Sequence, residues 1–89
     1  MRAVITVIGK DNVGILHQVS GVCAKYQANV LEVTQSVLQD MFAMIMMVDT
    51  SESKVEFAQL ARELSQMGEQ IGMTVRLQHA DIFDAMHNV

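Results

Sequence analysis

The sequence predicts one α+β domain in which two helices pack on one face of a four-stranded antiparallel sheet. Three observations lead to this fold class. The chain has 89 residues and is 51% hydrophobic, which is enough for about one domain with a core. Its apolar pattern alternates between a period of two and a period of 3.6, in the order strand, helix, strand, strand, helix, strand. The third of these strands is apolar on both faces, as expected at the centre of a sheet.

The first half of the chain supplies a strand, a helix and a second strand. Residues 2–8 are short and rich in β-branched side chains, which is typical of a strand. Residues 9–14 are mainly glycine and polar residues, which predicts a turn. A helix follows, and residues 30–39 then alternate again and predict the second strand. The apolar stripe of this first helix consists of Ile15, Val19, Val22, Cys23 and Tyr26.

The second half repeats the pattern after a hairpin turn at Gln39 and Asp40, with a third strand at 41–50. Ser53 and Glu56 have the spacing of a capping box that opens a second helix. Gly72 is placed to terminate that helix, and residues 73–80 predict the fourth strand. The apolar stripe of the second helix consists of Phe57, Leu60, Ala61, Leu64, Met67 and Ile71. In the tail, Ile82, Phe83 and Met86 have helical spacing and predict one or two turns.

The element order βαββαβ is that of the ferredoxin-like fold, with residues 1–80 as the core and 81–89 as a short C-terminal helical tail of the single domain 1–89. Right-handed crossovers place the first and third strands at the centre of the sheet. The helices cover one face only. One face of the third strand carries Phe42, Met44, Met46 and Val48, and the other carries Met41, Ala43, Ile45 and Met47. The face that the helices leave uncovered would present an apolar patch to water, which indicates self-association or a tail that folds back over it.

Charge and composition narrow the partners and the compartment. The net charge is −4, and the basic residues are scattered, so the stripe that binds phosphates of nucleic acid is absent. No apolar run approaches the length needed to cross a membrane, and no secretory signal is visible. The single cysteine, Cys23, fits a reducing compartment. We therefore expect a cytoplasmic protein without direct nucleic-acid or membrane partners.

The segment from Gly9 to Leu16 is the most informative part of the sequence for function. It joins a strand to a helix N-terminus, where free backbone N–H groups and the helix dipole favour a carboxylate or a phosphate. Gly14 permits close approach of a ligand, and Asp11 or Asn12 could accept hydrogen bonds from an ammonium group. The alternative is that Asp11 or Asn12 caps its own helix and Gly14 only makes the turn.

This segment, VIGKDNVGIL, resembles the loop of the ACT domain, a small ferredoxin-like regulatory module. Ala28-Asn29-Val30 at the start of the second strand and the glycine before the last strand extend the resemblance over the chain. The tail, DIFDAMHNV, resembles that of uncharacterised bacterial proteins that consist of one ACT domain. Val13 stands where many ACT loops carry proline. The resemblance implies a ligand site at a dimer interface, formed by the loop and the neighbouring subunit's strand, with Asp11, Asn12, Val13, Gly14, Ile15, Leu16 and Asn29 as its residues.

The leading hypothesis is therefore a homodimeric regulatory protein that senses an amino acid or a similar small anion and passes the signal to an unknown protein partner. A second hypothesis is a dimeric adaptor that binds no small molecule. A third is a metal-binding regulator, since imidazole and carboxylate groups suit zinc; its candidate ligands are His79, Asp81, Asp84 and His87. No cofactor motif is present. No enzyme is indicated, because Cys23 falls on a buried helix stripe and no catalytic triad can be argued.

Overall fold

The structure, a computed structural model, describes residues 1–10 and 14–81. Its elements follow the predicted order βαββαβ, which confirms the fold class. The strands are β1 (Arg2–Lys10), β2 (Asn29–Leu38), β3 (Met41–Asp49) and β4 (Thr74–His79), and the helices are α1 (Ile15–Lys25) and α2 (Phe57–Gln70). The predicted turns of the tail at Ile82, Phe83 and Met86 lie outside the described residues.

The four strands form one sheet in the order β2-β3-β1-β4, with all neighbours antiparallel. The prediction that the first and third strands are central is thus confirmed. Lys10 pairs with Met41 at one end of the sheet, beside the β2–β3 turn and the start of the β1–α1 loop; we call this the loop end. Arg2 pairs with Asp49 at the other end. The register of β2 against β3 shifts at Leu31, which forms a bulge.

The core lies between the helices and one face of the sheet. Helix α1 buries Ile15, Val19 and Cys23, and α2 buries Leu60 and Leu64, so both predicted stripes face the core. The sheet contributes Ala3, Ile5, Val7, Phe42, Met44, Met46, Val48, Val75 and Leu77. Because all of these side chains are apolar, the stability of the domain rests on removal of their surface from water.

Helix α2 ends at its predicted stop, Gly72. This glycine has φ 74°, a left-handed conformation that glycine adopts without steric cost. The Gly72 N–H donates to the Glu69 carbonyl at 3.3 Å and the Met73 N–H donates to the Gly68 carbonyl at 2.8 Å. This pair of bonds is a Schellman motif, and it turns the chain directly from α2 into β4.

The predicted capping box at the start of α2 is wrong. Glu56 itself is the N-cap residue, with extended backbone angles and no side-chain capping bond, and Ser53 lies three residues earlier. The chain first makes a turn in which the Asp49 carboxylate accepts the Ser51 N–H at 2.9 Å. The hydrogen bonds from Ser51 lower the pKa of Asp49. Ser53 lies within this turn and not at the start of α2. Its buried hydroxyl has no hydrogen-bond partner among the described residues.

The face of the sheet opposite the helices, which we call the open face, is apolar along β3 from Met41 to Met47, as predicted for the third strand, whereas β1 alternates Val4 and Ile8 with polar residues on this face. Ile8 of β1 is 51% exposed, and Met41 and Ile45 of β3 are 48% and 43% exposed. Val4, further along β1 on the same face, is only 1% exposed. The exposed apolar surface therefore occupies the loop end. The prediction that the tail folds back over this face involves residues 82–89, which lie outside the described part of the chain.

Candidate functional site

Helix α1 begins directly after Gly14, as the sequence predicts. Gly14 is the N-cap residue and has no side chain with which to cap the helix. The first backbone bond of the helix runs from the Gln18 N–H to the Gly14 carbonyl at 3.0 Å. The N–H groups of residues 15–17 therefore have no acceptor within the helix, and no acidic residue occupies the first turn. This end of α1 is electropositive and suited to an anion.

Gly14 also leaves space at this end of the helix. Its φ of 88° lies in the left-handed region, where side chains are strained, and a Cβ built on it would have no atom within 4 Å among the described residues. The remaining predicted loop residues, Asp11, Asn12 and Val13, lie outside the described part. Ile15 is buried in the core, so only its backbone is available to a ligand, whereas the side chain of Leu16 is 37% exposed.

Gly9, at the entrance to the loop, is held close to the connection between α2 and β4. A Cβ on Gly9 would lie 2.5 Å from Sδ of Met73, a buried side chain. A larger residue at Gly9 would therefore displace Met73 or shift the end of β1. The close packing of Gly9 on Met73 fixes where the loop leaves the sheet, a contact that sequence periodicity does not reveal.

Exposed apolar side chains also lie along the edge strand β2. Val37 pairs with Phe42, which in turn pairs with Gly9, so it lies at the loop end on the helix side of the sheet. Val37 is 54% exposed. Val30 and Leu31, at the start of the same strand, are 36% and 44% exposed. The other edge strand, β4, has no large exposed hydrophobic residue.

Asn29 lies far from the loop within one chain. It pairs with Asp49, which pairs with Arg2, so it belongs to the end of the sheet opposite Lys10. Since β1 has 9 residues, the two ends lie about 26 Å apart at about 3.3 Å per residue. A single chain therefore does not bring Asn29 together with Gly14 and Leu16.

The residues considered for a metal site are not gathered around one point in the described chain. The ring of His79 stacks on Phe57, with centroids 4.0 Å apart, and its Nδ1 lies 3.1 Å from Sδ of Met1. Asp81 is exposed, and Asp84 and His87 lie outside the described residues. Within residues 1–10 and 14–81, no three His, Cys, Asp or Glu side chains are close enough to hold an ion.

Cys23 is placed as the sequence predicts, on the buried side of α1. It is 1% exposed, and burial raises the pKa of its thiol to about 11. The thiol is therefore protonated at neutral pH. Because the thiolate is the nucleophilic form of cysteine, Cys23 is a core side chain and not a reactive centre.

One shallow groove of about 190 Å³ lies elsewhere, between α2 and β4. It contains none of the predicted site residues; it is lined by Ser65, Glu69, Met73, Thr74, Val75 and Arg76. As for membranes, neither α1 nor α2 has the length and apolar character of a spanning helix, a finding that covers the described residues.

The chain is similar to known proteins over nearly its whole length. The sequence model described as the ACT domain matches residues 2–78. The chain is 47% identical to a UPF0237 protein of Methanocaldococcus jannaschii, over 99% of this chain and 98% of that protein. It is 48% identical, with the same coverage, to a UPF0237 protein of Methanopyrus kandleri. Among solved structures, the ACT domain protein from Streptococcus pneumoniae superposes with a TM-score of 0.81 at 38% identity, covering 98% of both chains.

Proposed function

The chain belongs to the ACT domain family, and on that premise we propose that it senses a small anionic effector, an amino acid or a similar carboxylate, at the start of α1 in a homodimer. The observation that carries the proposal is the uncapped helix start at Gly14, with open space beside it. The backbone N–H groups of residues 15–17 would bind the carboxylate. Asp11 and Asn12 would accept hydrogen bonds from the ammonium group.

The edge of β2 is the surface through which we propose that the dimer forms. Its backbone groups on the outer side have no strand partner among residues 1–10 and 14–81, and an unpaired edge is available for pairing with another strand. Val30, Leu31 and Val37 are exposed along it, and Leu16 is exposed in the first turn of α1. Pairing of β2 with β2 of a second copy would bury these side chains. The alternative edge, β4, has 6 residues against 10 in β2.

Such a dimer explains the position of Asn29. Antiparallel pairing about a two-fold axis at the middle of β2 places the start of each strand beside the end of the other. Asn29 of the partner subunit would then approach the loop end, where Gly14 and Leu16 lie. Each site would combine a loop from one chain with Asn29 from the other, so an effector would join the two subunits.

Binding between subunits gives the protein a means of signalling. An effector that contacts both chains stabilises the dimer arrangement in which those contacts form, and it thereby changes the affinity for a third protein by linkage. In this proposal the domain of 89 residues acts through such an association and not by catalysis. The buried free thiol of Cys23 fits a reducing compartment, which supports a cytoplasmic location.

The proposal is tested by thermal unfolding of the protein against the amino acids and a set of small carboxylates at millimolar concentration. A ligand at 100 times its dissociation constant adds about 2.7 kcal/mol, which raises Tm by roughly 10 °C in a domain of this size. We expect a selective shift for one effector or a few related ones. A panel without any shift would contradict effector binding and would favour the adaptor function, for which the apolar open face is the supporting observation.

Two matched variants locate the binding site. Gly14→Asp places a carboxylate where the anion would bind. Gly72→Asp adds the same charge at another glycine with positive φ and open surroundings, so it controls for strain and charge. We expect Gly14→Asp to abolish the effector-induced shift and Gly72→Asp to retain it. Retention of the shift in folded Gly14→Asp would place the site elsewhere.

A further inference from the structure

The shallow groove between α2 and β4 runs along the outer edge of β4. Val75 is buried on the helix side of the sheet, whereas Thr74 and Arg76 on either side of it point to the open face, because side chains alternate along a strand. All three residues nevertheless line this one groove. A groove shared by residues that point to opposite faces passes along the edge of the strand, so the main chain of residues 74–76 lies beside it.

The outer edge of β4 is available to another strand. Among residues 1–10 and 14–81, no strand pairs with it. Its 6 residues span about 20 Å at about 3.3 Å per residue, which is long enough for several main-chain hydrogen bonds. An extended peptide that adds a strand to a sheet edge gains affinity from such bonds and specificity from pockets for alternate side chains. The edge and the groove together offer both.

The groove is apolar at its base and small. Met73 and Val75 in its lining are 4% and 3% exposed, and its volume is about 190 Å³. Sites for small molecules usually have about 300–1,000 Å³, so the groove is smaller than an ordinary effector pocket. It suits one side chain of a longer ligand whose main chain lies against β4.

The rim of the groove carries one charge of each sign. Glu69 stands on α2, one turn after Ser65 on the same helix face, and Arg76 stands on β4; both charged side chains are exposed. In the described part of the chain, neither of them has an ion-pair partner. Both charges are therefore available to a ligand that carries a cation on the helix side and an anion on the side of the open face.

We infer that β4 and the groove bind an extended segment of another protein by strand addition, with a basic side chain beside Glu69 and an acidic side chain beside Arg76. Because these two residues lie on opposite sides of the sheet, the charged residues of the segment are an odd number of positions apart. A second copy of the chain is a poorer occupant, since β4 has no large exposed hydrophobic residue, whereas Val30, Leu31 and Val37 are exposed on β2.

Met73 connects the groove to the start of the β1–α1 loop. It lines the groove, and its Sδ packs on Gly9 at the entrance to the loop. One buried side chain thus touches both the docking groove and the strand end from which the proposed effector loop departs, which gives the two sites a physical connection. Coupling to the effector rests on the proposed function, whereas binding of the segment does not.

The experiment is selection of short random peptides, displayed on phage, against the immobilised full chain without effector, followed by fluorescence anisotropy of the enriched peptides. We compare the wild type with Ser65→Trp, which fills the groove. The matched control Gln66→Trp adds the same side chain at the next exposed position of α2, outside the groove lining. Glu69→Lys reverses the charge on the helix side of the groove.

We expect the wild type and Gln66→Trp to enrich the same peptides, rich in β-branched residues, with a basic and an acidic residue at odd spacing. Ser65→Trp should weaken their binding about tenfold or more by steric exclusion. Glu69→Lys should select an acidic residue in place of the basic one. Absence of enrichment would overturn the inference and show that Arg76 only protects the edge from pairing; equal binding by Ser65→Trp would also overturn it.

Two further measurements on Ser65→Trp separate this inference from other accounts. Light scattering should give the same mass for this variant and the wild type. A smaller mass for the variant would assign the groove to a second copy and overturn the inference. The effector-induced shift in Tm should survive, since the start of α1 is unchanged, so failure of peptide binding and failure of effector binding are distinguishable.

Discussion

Gly68 of α2 packs directly against Val75 of β4. A Cβ at Gly68 would lie 2.6 Å from Cγ2 of Val75 and 2.8 Å from the Met73 carbonyl oxygen. The second of these atoms is backbone and cannot move without shifting β4. We therefore expect Gly68→Ala to lower the free energy of unfolding by about 1–3 kcal/mol, measured by urea denaturation.

Gly21 provides the matched control. It lies in α1, is exposed, and a Cβ there would meet no described atom within 4 Å. Gly21→Ala should raise the free energy of unfolding by about 0.5–1 kcal/mol, because alanine loses less backbone entropy in a helix. If both substitutions were stabilising, the close approach of α2 to β4 at Gly68 would be wrong.

The end of α1 carries a non-glycine residue in a left-handed conformation. Gln27 has φ 60°, and the Ala28 N–H donates to the Cys23 carbonyl at 2.8 Å in a Schellman motif. Because glycine adopts this conformation without steric cost, Gln27→Gly should raise Tm and add about 0.5 kcal/mol of stability. The control Gln66→Gly, on the exposed surface of α2, should lose about 1 kcal/mol; a loss in both variants would contradict the Schellman motif.

Burial of Cys23 predicts a loss of stability at alkaline pH. The pKa of the thiol rises from 9.0 in the unfolded chain to about 11 in the folded protein. The unfolded thiol ionises first, so this group stabilises the fold below pH 9 and the stabilisation disappears as pH rises to about 11. We expect the stability difference between wild type and Cys23→Ala to shrink over this range. A difference that stays constant from pH 8 to 11 would show that the thiol is solvated.

The β2-edge dimer predicts opposite outcomes for two equally exposed side chains. Val37 on β2 is 54% exposed and Ile8 on the open face is 51% exposed. Val37→Lys should dissociate the dimer at 20 µM, as measured by light scattering, since it places a charge in the proposed interface. Ile8→Lys should leave that dimer intact, because Ile8 lies on a central strand, away from the edge of β2. Loss of the dimer in Ile8→Lys alone would assign dimerisation to the open face.

The sequence was sufficient to predict the element order, the central strands and the core stripes, because periodicity and β-branched content report directly on burial. The prediction that Gly72 ends α2 was correct because it depends only on a local property, the positive φ of this glycine. The capping box at Ser53 failed because the chain inserts a turn held by Asp49 before α2 begins. Spacing within a segment carries no information about that turn.

The candidate site was only partly predictable. Gly14 could be predicted as a site residue from its place between a strand and a helix. The distance between Asn29 and the loop could not be predicted, since it depends on strand register across three strands. The packing of Gly9 on Met73 depends on tertiary structure in the same way.

The most direct test of the central claim is binding by mixed dimers of Gly14→Asp and Asn29→Ala, measured by calorimetry with the amino acid that gives the largest thermal shift. Each homodimer carries one defect in both sites. A mixed dimer in which the loop and Asn29 come from different chains has one intact site and one doubly defective site. The account predicts weak binding by each variant alone and recovery of about one site per mixed dimer. If mixing restores no binding although mixed dimers form, the site does not combine residues of two subunits and the account is contradicted.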